Sequence, residues 1–130
     1  MVWGRLEEPV RYVWDLSERL FEYSVRILRL TESLPGTVVG KRIADQLFRS
    51  ATSVGANYQE AQGAESKADF IHKLQIALKE SREALYWLKL LANTSLAPEE
   101  NVRSMIRESL ELRAILSKAV ATAKTNHENK

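Results

Sequence analysis

At 130 residues, 45% of them hydrophobic and 28% charged, the chain has the size of one domain and no room for a second. Its 19 basic and 17 acidic residues leave a net charge of +2, too little to recruit a nucleic acid by bulk attraction, so any basic surface must be local. The absence of cysteine excludes disulfides and thiolate metal sites and fits a reducing compartment, with the cytoplasm as the expected location; neither a secretory leader pattern nor an apolar run near the roughly 20 residues of a membrane span is visible.

In chain order, Met1 to Glu8 has no periodicity, although Trp3 and Leu6 could tuck against the body, and Pro9 suits the first turn of a helix. Over about 10–33, Val13, Leu16, Leu20, Tyr23, Ile27, Leu30 and Leu34 recur at spacings of three and four, which predicts an amphipathic helix. A second apolar set, Trp14, Phe21, Val25 and Leu28, fits either a broad core face or a further packing surface. Leu34-Pro35-Gly36 ends this helix, because proline cannot continue the hydrogen-bond ladder.

The second helix is predicted over about 40–63, starting at Val38 or Lys41. Ile43, Leu47, Ala51, Val54, Tyr58 and Ala61 form its core stripe. Immediately beside them Gln46, Arg49, Ser50, Ser53, Asn57 and Glu60 fall within an arc of roughly 100°. A solvent face would more usually carry Lys and Glu, so this polar stripe points to a helix packed on two sides with its polar groups satisfied in an interface.

Gly63 and Ser66 mark the next turn, with Ser66 as N-cap and Asp69 as the third-position acid of a shortened capping box. The third helix, about 67–93, places Phe70, Leu74, Ala77, Leu78, Ser81, Leu85 and Leu88 in the core, flanked by Lys73, Ile76, Glu80, Glu83 and Trp87. Folding the second and third helices back about residues 64 and 65 sets Arg49 opposite Glu80, with Asn57 near Lys73. The outward face of the third helix interleaves cations and an aromatic: Lys79, Arg82, Tyr86 and Lys89 lie within about 80° of one another. Such a row could meet phosphates and bases, or it could be an ordinary solvated face.

After the break at Thr94, Ser95 and Pro98, a fourth helix over about 98–123 carries Val102, Met105, Ile106, Leu112, Leu116, Ala119 and Ala123 on its apolar side. The polar tail from Thr125 is expected to fray. Four helices with three short connections give an all-α, antiparallel up-down-up-down four-helix bundle.

Chemistry is sparse in this pattern. Neither His72 nor His127 belongs to the Glu-x-x-His pairs that metal-binding bundles supply. Ser50, Ser53 and Ser81 have no histidine near them, and Gly36 and Gly40 lack the ending of a phosphate loop. No catalytic residue, cofactor or metal is therefore expected. The polar stripe, together with Glu80 and Glu83, fits an intersubunit network, a network inside one bundle, or a ligand cleft. In mechanical terms, Arg49 should meet Glu80 or Glu83, and Asn57 should bond across to the third helix or a neighbouring subunit. Ser50, Ser53 and Gly55 should mark close helix approach.

One set of residues carries a resemblance: Leu34-Pro35, then Gln46-Leu47-Phe48-Arg49-Ser50-Ala51 with Ser53, Asn57 and Glu60, then Asp69-Phe70 and Ile76-Ala77-Leu78-Lys79-Glu80-Ser81-Arg82-Glu83. From about Trp14 to Val120 the chain resembles the small bacterial proteins of the 23S rRNA intervening-sequence protein family. It departs from the family's usual Asn, two residues, Glu, Gly, having Asn57-Tyr58-Gln59-Glu60-Ala61 with the glycine delayed to Gly63. The resemblance implies an antiparallel four-helix bundle that assembles as a ring-shaped homo-oligomer, often a pentamer, with no established enzymatic activity. The chain is similar also to accessory proteins of diversity-generating retroelements, whose positively charged pentameric barrel binds nucleic acid and a reverse transcriptase. The expected function is a non-enzymatic oligomer partnered by itself and by RNA or DNA through Lys79, Arg82, Tyr86 and Lys89. The alternative is an adaptor oligomer that binds a protein and no nucleic acid; no membrane partner is expected.

Overall fold

The computed structural model describes the backbone of residues 10–128 and the side chains of residues 16–126. The readings placed on Trp3, Leu6 and Pro9, and on the side chains of Val13, Trp14 and His127, lie outside the described residues. Four helices follow in order: α1 (Val10–Glu32), α2 (Val38–Gln62), α3 (Lys67–Ala92) and α4 (Glu99–Glu128). At 1.5 Å per residue each is about 35–45 Å long, so they lie side by side as an antiparallel four-helix bundle.

Local chemistry sets the helix ends. Past the last turn of α1, the Ser33 N–H donates to Arg29 O and Leu30 O (3.2 and 3.1 Å), and Pro35 stops the ladder two residues later. Thr37 caps α2 by accepting the Gly40 N–H at 3.1 Å, a cap hidden in the sequence because no acid follows at the third position. Gly40 is required there: a Cβ on it would lie 2.1 Å from the Pro35 carbonyl oxygen. Ser66 caps α3 as expected, accepting the Asp69 N–H at 3.0 Å. The return bond runs from the Glu65 N–H to Asp69 Oδ2 (3.3 Å), one residue earlier than a full capping box would place it. Ser95, at φ 60°, turns the chain into α4, where the Pro98 carbonyl accepts the Val102 N–H at 3.2 Å. α4 outlasts its expected end near residue 123 by more than a turn and continues through Glu128. Extending an existing helix costs little, and Ala119 and Ala123 still pack against the core.

Leu20, Tyr23 and Ile27 of α1, Leu47 and Val54 of α2, Leu74 and Leu88 of α3, and Leu112 and Leu116 of α4 are among the most deeply buried side chains of the core. Ala84, Leu91, Ser109 and Val120 join the buried set, although the periodic reading had passed over them. α2 and α3 pack most extensively, and α1 and α4 least. The second apolar set of α1 does not widen the core: Phe21 is 69% exposed and Leu28 39% exposed. A Cβ at Gly55 would sit 3.6 Å from Leu20 and Ser24, so that side of α2 faces α1. Phe48, 43% exposed, lies seven residues earlier on the same side of α2, level with Leu28. The outer α1/α2 seam is therefore apolar.

Candidate functional site

The polar stripe of α2 sorts into two kinds of group. The small polar side chains return their hydrogen bonds to α2 itself: Ser50 Oγ donates to Gln46 O at 2.8 Å, Ser53 Oγ to Arg49 O at 2.7 Å, and Asn57 Nδ2 to Ser53 O at 2.9 Å. Within one chain Asn57 makes this local bond and not the expected one across to α3, because the carbonyl one turn back competes for its amide. Ser81 does the same on α3, donating to Leu78 O at 2.7 Å. Ser50 and Ser81 are both buried, each one residue past a member of the Arg49–Glu80 pair. Gly55 marks no close approach, since a methyl group would make only ordinary contacts there.

The charged residues of the stripe reach across. Arg49 donates through Nη1 to Glu80 Oε1 at 3.3 Å and through Nη2 to Glu83 Oε2, as the fold-back about residues 64 and 65 predicts. The same Glu83 oxygen accepts the Trp87 indole N–H at 3.1 Å. These two hydrogen bonds, Arg49 first, hold the Glu83 carboxyl below its usual range, and the bond to Glu83 raises Arg49. Lys73 pairs with Glu60 at 3.8 Å. Gln46 is exposed and lends its main-chain carbonyl to Ser50. Within one chain, then, the stripe is a satisfied α2/α3 seam, with its hydroxyls spent on main-chain carbonyls and its carboxylates on cations.

A second polar seam joins α1 to α4, and sequence reasoning missed it. Arg19 donates through Nε and Nη2 to the two oxygens of Glu108 (3.3 and 2.9 Å) and lies 3.0 Å from Glu111 Oε1; the Glu108 hydrogen bond is the main reason its pKa is raised. Arg26 Nη2 donates to Ser104 Oγ at 2.7 Å. Deeper in, the Tyr23 and Ser109 hydroxyls share a 2.6 Å hydrogen bond, and burial pushes the Tyr23 phenol up to about 12 despite the opposing effect of that bond. The available signals were Arg19 and Arg26 seven residues apart, Glu108 and Glu111 three apart, and a serine, Ser109, at an apolar position of the fourth helix.

Lys79, Arg82, Tyr86 and Lys89 are all exposed on one face of α3, as expected. Tyr86 is 59% exposed and meets Trp87 edge to face, with ring centres 5.1 Å apart and planes at 79°. Among the described residues Lys79, Arg82 and Lys89 form no ion pair, in contrast to Arg19 and Arg49. Also among the described residues, no group of three or more His, Cys, Asp or Glu is arranged to hold a metal ion, and no helix is long and apolar enough to cross a membrane.

Comparison with known proteins gives a family match described as 23S rRNA-intervening sequence protein, over residues 12–118. Among solved structures, the chain is similar to a protein of unknown function from the S23 ribosomal protein family of Bacteroides thetaiotaomicron. The two are 38% identical, the alignment covers 81% of this chain and 97% of that one, and the TM-score is 0.72. No curated protein matches.

Proposed function

The chain belongs to the 23S rRNA-intervening sequence protein family, and from that premise we propose that it is a non-enzymatic, cytoplasmic, homo-oligomeric accessory protein that binds nucleic acid through the exposed face of α3. A ring, with five copies as the expected number, is the assembly. The observation that carries the nucleic-acid half is the contrast between cations. Arg19 and Arg49 are closed by carboxylates, whereas Lys79, Arg82 and Lys89 are exposed and form no ion pair among the described residues, Lys79 acting on Glu83 only at longer range. Repeating so small a patch around an axis sums weak fields into one that a single copy lacks. Self-association is supported by the exposed apolar side chains of Phe21, Leu28 and Phe48 on the α1/α2 side, since exposed apolar surface is a mark of interfaces.

A fluorescence titration with generic RNA and duplex DNA at low and physiological salt tests this reading. Binding should weaken steeply with salt, because each neutralised phosphate releases counterions, and Lys79→Glu with Arg82→Glu should weaken it further. Flat curves at both salts would remove the nucleic-acid role. The same apolar seam also favours a second reading, an adaptor that docks a protein partner there and binds no nucleic acid. A pull-down repeated after nuclease treatment separates the two, since only a protein partner survives it.

A further inference from the structure

The basic surface does not end at α3. Glu108 and Ser104 turn one flank of α4 towards α1, so the opposite flank, carrying Ile106, Leu110 and Arg113 at helical spacing, faces α3. Arg107 lies about 60° beyond Leu110, on the solvent-facing side of α4, where it is exposed. On α3, Glu80 and Glu83 face α2, which leaves Arg82 and Lys89 on the α4 side with Lys79 and Tyr86 beyond them. Neither Arg107 nor the half-buried Arg113 forms an ion pair among the described residues. Arg103 is different, being answered by Glu99 at 2.8 Å, and Glu99 and Glu100 at the start of α4 give that end of the seam a negative border.

We infer that the outer α3/α4 seam is a track for single-stranded nucleic acid, its phosphates held between Lys79, Arg82 and Lys89 on one side and Arg107 and Arg113 on the other, with a base stacked on Tyr86. The inference rests on the nucleic-acid reading above and adds the strandedness and the second row. Packed helices lie about 8–10 Å apart, so long side chains from both rows reach one backbone lying between them. From Lys79 to Lys89 is about 15 Å of helix, room for a few nucleotides. A duplex keeps its bases stacked on one another, whereas unpaired bases stack on exposed aromatic rings. Tyr86, more than half exposed and braced by Trp87, presents such a ring on the solvent side of Arg82 and Lys89, beside Lys79.

Fluorescence anisotropy with a labelled oligouridine and with a duplex of equal length, at two salt concentrations, tests the track. The single strand should bind more tightly than the duplex. Arg107→Gln with Arg113→Gln should weaken single-strand binding about tenfold and flatten its log–log salt slope by about 1.4, the value for two lost contacts. Tyr86→Ala should weaken binding at least about fivefold, with Tyr86→Phe close to the parent. Thermal melts establish that each variant is folded. If Lys79→Glu with Arg82→Glu weakens binding while the α4 pair changes nothing, the two-row track is wrong and the α3 reading stands. A preference for duplex, or Tyr86→Ala binding like the parent, overturns the single-strand assignment. Absence of any binding by the unmodified protein at low salt overturns both readings together.

Discussion

Tyr23 makes the strictest demand of any single residue, because its ring is almost wholly buried and its hydroxyl must be answered inside the bundle. Replacing it in Tyr23→Phe leaves the Ser109 hydroxyl without that partner and should cost about 1–2 kcal/mol, read as a lowered denaturation midpoint. The pH dependence follows from the raised phenol. In the unfolded chain Tyr23 ionises near 10, while in the folded protein it holds its proton to about 12. The folded state then binds more protons, so stability falls as the pH rises from about 10 through about 12, and Tyr23→Phe should flatten that fall in alkaline melts. The two helical glycines of α2 should respond oppositely to alanine. Gly55→Ala should be neutral or stabilise by up to about 1 kcal/mol through helix propensity, since its methyl finds ordinary contacts at 3.6 Å. Gly40→Ala drives a methyl into the Pro35 carbonyl and should destabilise by about 1–3 kcal/mol; equal melting temperatures for the two variants would contradict this.

Between elements, the seams differ in how far the sequence exposes them. The α2/α3 ion pairs follow from one short turn: folding the chain at residues 64 and 65 fixes the register, and Arg49 lands on Glu80 and Glu83. The Arg19–Glu108 pair spans 89 residues, so its register depends on three connections and two intervening helices, and periodicity alone does not carry that information. Hydrophobic spacing located Leu20, Leu47, Leu74 and Leu116 in the core but not Ser109, a polar residue at an apolar position. Asn57 does not reach α3 within the chain for another reason, because a local carbonyl competes for its amide N–H. The α2/α3 seam also carries an acid dependence. Glu83 lies below its ordinary value of 4.5, so its contribution is present above that pH and is lost as the pH falls through its lower folded value. Half-exposed as Arg49 is, screening keeps the contribution to about 0.2–1 kcal/mol. Arg49→Met should therefore lower stability slightly at neutral pH and make the acid limb of the stability curve shallower, which urea titrations between neutrality and acid would detect.

For the whole molecule, the four outer seams have distinct characters. Ion pairs close α2/α3 and α1/α4, while α1/α2 exposes Phe21, Leu28 and Phe48 and α3/α4 exposes unpaired cations. In a bundle those last two seams lie on opposite sides, so an apolar contact between copies can form without engaging the basic residues of the same copy. The composition hid this arrangement: a net charge of +2 averages over surfaces of opposite kind, and only the three-dimensional placement separates them. Burying Phe21 and Phe48 in a contact between copies would explain why two phenylalanines stand in solvent. Sedimentation velocity at tens of micromolar protein in moderate salt is the most direct test. A species several times the 14.8 kDa chain mass, near five copies and broken down by Phe21→Glu with Phe48→Glu, is the predicted result; a single 14.8 kDa species throughout would contradict the account.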